Sequence, residues 1–343
     1  MRRTAFLLLS VCLLFAFVWP TFGTAAEQKS MTLRYSNFFP APHKTSIASS
    51  DWCKEVEKRT NGRVKFSYLP GATLTPPDQT YDSVVKGIAD VGMSLFNYTM
   101  GRFPMMLAID LPMAYKSGYV GTKMINEYYK KFKPKELDEV EVMYLSTHGP
   151  GLLNTKKPVT KLEEAKGLKI RCTGVTCQII KALGGAPVGM PMTEAYDSLS
   201  KGVVDGILCP AEALKGWKLA EVVANTTQSF GCAYVSGFFV VMNKAKWNSI
   251  SPEDQATIRK VNEEWIEKQG KVWDEIDKEG YDAIKAKGNK IIALSPEENA
   301  RWAAAARPII DDYVKMLKGK NLPGDEAIAF IQNYLKQNDQ FPH

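Results

Sequence analysis

Apolar positions along the chain switch between two spacings, one that suits strands and one that suits helices. Leu33 to Ser36 reads as a short strand, and Ile47, Ala48, Trp52 and Val56 then recur at helical spacing between Thr45 and Arg59 before Asn61-Gly62 stops the run. Val64, Phe66 and Tyr68 alternate, so they share one face of a second strand that ends at Pro70-Gly71. A helix closing at Lys86-Gly87 leads into a third strand over Asp90 to Leu95. Strand and helix in repeated alternation predict an α/β chain with sheets of mixed type.

One segment returns. Tyr81-Asp-Ser-Val-Val-Lys-Gly-Ile-Ala-Asp90 reappears as Tyr196-Asp-Ser-Leu-Ser-Lys-Gly-Val-Val-Asp205, with Tyr, Asp, Ser, Lys, Gly and the final Asp in common. Each copy reads as helix, glycine stop, strand, which predicts two similar α/β lobes. Ligands of open α/β sheets sit beyond the carboxyl ends of strands. That directs attention to Ser94 through Tyr98 after the first copy and Leu208 through Ala211 after the second, two strand ends that would face each other across a cleft.

The C-terminal third is built differently. Ser251-Pro252-Glu253-Asp254 and Ser295-Pro296-Glu297-Glu298 each combine a capping serine, a proline at the first helical position and an acid in the first turn. The first opens a helix expected to reach about Lys287, roughly 55 Å at 1.5 Å per residue. A helix longer than one lobe must either bend, near Gly270 or Gly280, or strap across both. The expected division is one lobe from residues 27–150 with about 241–285, and a second from 151–240 with about 286–343.

Residues 1–26 follow the secretory pattern: Met1 to Arg3 is positive, Ala5 to Trp19 almost wholly apolar, and Gly23 to Ala26 small enough for cleavage. A cleaved Sec-type leader and an exported, periplasmic product are expected; about fifteen apolar residues are short for a membrane span of about 20. Removing Arg2 and Arg3 with the leader lowers the net charge from +7 to +5. That is mild, and lysines alternate with acids along helical faces as in Glu263 to Glu279, so no nucleic-acid partner is expected.

Three histidines, His43, His148 and His343, stand outside any metal-binding spacing, and no metal or cofactor is expected. A secreted hydrolase is disfavoured: no Gly-x-Ser-x-Gly elbow occurs and the histidines have no evident nucleophile partner. Beyond the leader, Cys53, Cys172, Cys177, Cys209 and Cys232 are too few and scattered for a disulfide scaffold. They read first as small buried residues; an oxidising compartment permits a bridge, and an odd number leaves at least one thiol free.

Several motifs, in order, carry a resemblance: Thr60-Asn-Gly-Arg-Val64 with Tyr68-Leu-Pro-Gly71, Lys86-Gly-Ile-Ala-Asp90, Gly167-Leu-Lys-Ile-Arg171, Ala182-Leu-Gly-Gly185, Met190-Pro-Met192 with Glu194-Ala-Tyr196, and Lys201-Gly-Val-Val-Asp-Gly206. Over nearly the whole mature chain it resembles the DctP-type solute-binding proteins of TRAP (tripartite ATP-independent periplasmic) transporters. The resemblance implies a two-lobe periplasmic binding protein fold, type II-like, with the ligand cleft between the lobes. It implies capture of a small organic acid and delivery to membrane permease subunits, without catalysis and as a monomer. An ABC-type or sensory binding protein of the same architecture is the alternative, separable by the neighbouring genes.

By that resemblance Arg171 holds the ligand carboxylate, a role for which a guanidinium suits because it offers two parallel charge-assisted hydrogen bonds. Met192 falls where similar proteins present an apolar or aromatic residue to the ligand. Two departures stand out: Cys209-Pro210 where many relatives have asparagine before the proline, and Pro150 where acidic-sugar binders often carry arginine. Polar handles are lost, and Phe38, Ser94, Phe96, Tyr98, His148, Trp217 and Tyr234 are the remaining candidates near the strand ends. An apolar wall selects an apolar body. The expected ligand is a monocarboxylate with an aromatic, heteroaromatic or branched aliphatic body in preference to a sialic or uronic acid.

Overall fold

The computed structural model describes residues 30–338, so the expected leader over 1–26 lies outside the described residues. The chain begins with β1 (Met31–Asn37), α1 (Lys44–Arg59), β2 (Val64–Leu69), α2 (Thr80–Val85), β3 (Val91–Leu95), α3 (Gly118–Phe132) and β4 (Val140–Thr147). It continues with β5 (Gly151–Thr155), β6 (Lys169–Cys172), α4 (Cys177–Ala182), β7 (Ala186–Gly189), α5 (Ala195–Ser200), β8 (Gly206–Pro210), α6 (Glu212–Gly216) and β9 (Asn225–Gln228). The remainder is β10 (Gly237–Asn243), α7 (Lys244–Ser249), α8 (Pro252–Ala286), β11 (Lys290–Ala293), α9 (Pro296–Gly319) and α10 (Gly324–Asn338).

The strands form two sheets, one in the order β2-β1-β3-β10-β4 and one in the order β11-β9-β5-β8-β6-β7. Each is mixed: β3 pairs in parallel with β1 and antiparallel with β10, and β8 pairs in parallel with β6 and antiparallel with β5. This is a two-lobe α/β fold.

The recurring segment occupies the same place in both lobes, α2 into β3 in one sheet and α5 into β8 in the other. Gly87 and Gly202, both at φ +73°, turn the chain between helix and strand, a conformation that costs a side-chain-bearing residue more than glycine. The two conserved-in-register acids do the same work. Asp90 accepts a hydrogen bond from the Arg34 amide at 2.8 Å and Asp205 accepts one from the Lys169 amide at 2.9 Å. Each acid thereby ties its own strand to the parallel strand beside it, at Arg34 within β1 and at Lys169, the first residue of β6.

Two strand-to-strand crossings between the lobes run side by side. Residues 148–150 lead from β4 to β5 and residues 229–236 from β9 to β10; Gly151 donates its amide to the Tyr234 carbonyl at 2.7 Å. The helix α8 is a third connection, unbroken over 35 residues and capped by the Ser251 hydroxyl. It packs on α1, α3 and β4 of the first lobe and on α6 and β11 of the second. Gly270 and Gly280 are close approaches within it. A Cβ on Gly280 would stand 2.0 Å from the Ala211 carbonyl oxygen and one on Gly270 2.9 Å from Tyr119.

The expected division of the chain differs from these placements in two respects. A boundary at 240 cuts through β10, which joins the first sheet from Gly237 onward. The C-terminal stretch is shared: α9 packs on α4 of the second lobe, but α10 lies on α3, with Ile328, Ile331 and Leu335 in one core with Tyr128.

Candidate functional site

Where the strand ends of the two lobes meet, a small space lies between their walls. Arg171, Met192, Cys209, Phe38, Tyr98, His148, Tyr234 and Trp217 all line it, so most of the sequence-derived candidates come together.

Arg171, near the end of β6, is 3% exposed. Its Nε donates to the Met190 carbonyl at 3.0 Å, which fixes the plane of the guanidinium, while its Nη2 is buried without a protein partner among the described residues. A buried donor without an acceptor costs about 1–3 kcal/mol, more when charged. The Trp217 Nε1 is a second buried donor of this kind on the same cavity. The chain after Arg171 is tied back on itself by a disulfide, Cys172 to Cys177, between the end of β6 and the start of α4. Cys53, Cys209 and Cys232 are buried free thiols.

The walls are aromatic. Phe38 lies nearly parallel to Trp217, with centroids 6.1 Å apart at 18°, and to Phe238 at 6.4 Å and 9°. Phe238 stacks in turn on Trp273 at 4.9 Å. Tyr98 meets Phe38 edge-on, and its hydroxyl accepts a hydrogen bond from the Met192 amide at 3.0 Å.

The histidine and the thiol are both held neutral. His148 Nδ1 donates to the Gly149 carbonyl at 2.6 Å, leaving Nε2 to accept from the Ser236 amide at 3.1 Å. Burial, with Arg171 nearby adding to it, lowers the His148 pKa to about 4. Burial likewise pushes the Cys209 thiol well up, and its sulfur accepts a hydrogen bond from the Asn154 amide.

Two candidates lie elsewhere. Ser94 is buried with its hydroxyl on the Pro77 carbonyl at 2.6 Å, and Phe96 packs in the first lobe's core against Phe103 and Phe239. Leu95, between them, points the other way and lines the cavity. Pro150 borders an outer groove beside Lys116 and Asp277. Sequence reasoning missed Phe39, Thr173, Glu212, Ser236 and Phe238. Glu212 was within reach: it stands one residue past the strand end that the near repeat singled out.

The profile of DctP, bacterial extracellular solute-binding protein family 7, matches residues 35–316. The chain belongs to this family. Among solved structures it is similar to a marine metagenome TRAP solute-binding protein specific for aromatic acid ligands, in complex with metahydroxyphenylacetate. That likeness has TM-score 0.86 and 28% identity over 91% of this chain and 100% of that one. It is also similar to a TRAP solute-binding protein from Rhodoferax ferrireducens T118 in complex with copurified benzoate, at TM-score 0.83 and 26% identity over 90% and 98%. A curated relative, the 2,3-diketo-L-gulonate-binding periplasmic protein of Escherichia coli, is 26% identical over 83% of this chain and 88% of its own. This DctP protein is thus a solute-binding protein of the TRAP type, and no described helix is long and apolar enough to cross a membrane.

Proposed function

We propose that this chain is the extracytoplasmic receptor of a TRAP transporter, capturing a monocarboxylate with an aromatic or otherwise apolar body and presenting it to the membrane permease without altering it. The observation that carries this reading is the pairing of one buried guanidinium, Arg171, whose Nη2 has no protein partner, with the rings of Phe38, Trp217 and Phe238 around the same space. The carboxylate would take the guanidinium and the body would slide between rings. Buried apolar groups contribute about 0.8 kcal/mol per methylene, and each sugar hydroxyl left without a partner costs about 1–3 kcal/mol.

Relatives of comparable identity bind both kinds of acid, aromatic acids in two solved structures and a sugar-derived acid in the curated relative. The lining of this cavity favours the first. The test is a thermal-shift and calorimetric screen of the purified protein against benzoate, phenylacetate, branched aliphatic acids, glucuronate and sialic acid. Ligands that bind only the folded state raise its stability by RT ln(1 + [L]/Kd). The largest shift is expected from the aromatic acids; a sugar acid giving the largest shift, with aromatic acids inert, would reject the reading.

A further inference from the structure

The cavity holds a second formal charge that carboxylate capture does not use. Glu212 opens α6 directly beyond β8, is 4% exposed, and lines the same space as Arg171. An acid inside an anion site works against the ligand unless it is neutralised or has a task.

Among the described residues no lysine or arginine pairs with it, and its one side-chain partner is a histidine. His43 approaches the Glu212 Oε2 with its Nε2 at 2.9 Å, but the other ring nitrogen is already committed. His43 caps α1, with its Nδ1 2.7 Å from the Thr45 hydroxyl and 3.3 Å from the Thr45 amide, and its Nε2 is turned to Glu212. Lys44 and Lys215 are bound to Glu275 and Glu279 on α8. Below, the Glu212 backbone amide donates to Asp277 at 2.9 Å, and burial, with the Glu212 charge adding to it, drives the Asp277 pKa well up, so that acid keeps its proton.

Among the described residues the Glu212 carboxylate therefore receives one hydrogen bond, from His43, whereas a carboxylate has about four acceptor positions. Tyr98 and Cys209 line the same space as the two charges. Burial raises both of their pKa values, and each also feels Arg171 pulling its pKa down and Glu212 pushing it up. One positive and one negative side chain thus line a single space.

We propose that Glu212 is a specificity residue of this cavity, selecting an aromatic monocarboxylate that carries a hydrogen-bond donor, such as a phenolic hydroxyl, and rejecting one that carries a second carboxylate; this rests on the reading of the cavity as an aromatic-acid site. A donor on the ring would complete the unused acceptor capacity of Glu212 while the carboxylate meets Arg171. A second carboxylate would bring like charges together in a dry site, where they interact strongly.

The experiment compares probes that differ in one substituent: benzoate, 3- and 4-hydroxybenzoate, isophthalate and terephthalate, titrated calorimetrically into the wild-type protein and Glu212→Gln. In the wild type the better hydroxybenzoate is expected to bind roughly tenfold to a hundredfold more tightly than benzoate, the range for hydrogen bonds to charged groups. Both dicarboxylates should bind more weakly than benzoate. Glu212→Gln should narrow the hydroxyl preference and raise the dicarboxylate affinity relative to benzoate by about tenfold or more. Should Glu212→Gln fail to fold, the wild-type order alone decides. A dicarboxylate matching benzoate in the wild type, a hydroxyl without effect at either position, or unchanged ratios in the variant would overturn the role of Glu212 while leaving the aromatic-acid reading standing. Failure of all the benzoates to bind would reject that reading, and this role with it.

Discussion

The Tyr98 hydroxyl of the first lobe accepts the Met192 amide of the second at 3.0 Å, so a side chain that walls the cavity also holds its two halves together. One residue earlier, the Asn97 side-chain oxygen, Oδ1, accepts the Val175 amide at 3.1 Å. Both links span the cleft and both sit beside Arg171 or the loop that follows it. Tyr98→Phe keeps the ring and removes one link. Ligand affinity is expected to fall by about 0.5–1.5 kcal/mol, the net worth of one hydrogen bond, with little change in the melting temperature of the ligand-free protein; calorimetry and thermal melts read the two quantities separately.

Arg171→Ala should weaken binding of any carboxylate ligand by about 2–5 kcal/mol, as truncating one partner of a buried charge pair does. Arg171→Lys retains the charge but not the planar fork, and should recover only part of the loss. Equal dissociation constants for wild type and Arg171→Ala would remove this residue from the site.

The Cys172–Cys177 bridge closes a short loop that contains Thr173 of the cavity wall and Val175 of the cleft link. Replacing both cysteines with serine is expected to cost about 2 kcal/mol of stability from chain entropy for so small a loop. It should also weaken ligand binding, because the residues after Arg171 must then be ordered at the moment of binding. Calorimetry on oxidised protein, on protein treated with reductant, and on the double-serine variant checks this; identical affinities in all three would show that the bridge serves stability alone.

Asp110 is fully buried, accepts the Gly237 amide at 2.9 Å and contacts the Asn97 amide group. Burial raises its pKa from 3.8 to about 8, against the pull of those hydrogen bonds. Between about pH 4 and 8 the folded protein therefore keeps a proton that the unfolded chain has released. Raising the pH through that window disfavours the fold, by up to roughly 1.4 kcal/mol per pH unit from this group. Below the window both states hold the proton and the dependence vanishes. His148, whose pKa is lowered to about 4 mainly by burial, contributes with the opposite sign between pH 4 and 6.5. Asp110→Asn isolates the first effect: the melting temperature of the variant relative to wild type should climb as pH rises from 4.5 to 8. A constant difference would contradict the assignment.

Much of this arrangement could be read from the residues. The near repeat located β3 and β8 in separate sheets and led to both strand ends, and the resemblance carried by Gly167 to Arg171, rather than the residues alone, pointed to the guanidinium that lines the cavity. What failed was parity. Every residue of β3 is buried, so alternation offers no contrast between its faces, and Ser94 and Phe96 were taken for cleft residues when Leu95 faces the cavity. The bridge between Cys172 and Cys177 depends on a turn from strand to helix that spacing does not specify. The contact between His43 and Glu212 joins residues 169 apart; no local pattern announces it.

The strap helix α8 adds a mechanical consequence. A rod of about 50 Å, at 1.5 Å per residue, that grips both lobes restricts how they can part. At Gly280 the rod touches the Ala211 carbonyl, the residue before Glu212, so the second lobe's cavity wall is seated directly on it. A side chain added at Gly280 would meet the Ala211 carbonyl and lift that wall off the rod, so the glycine sets how closely the second lobe seats on its strap.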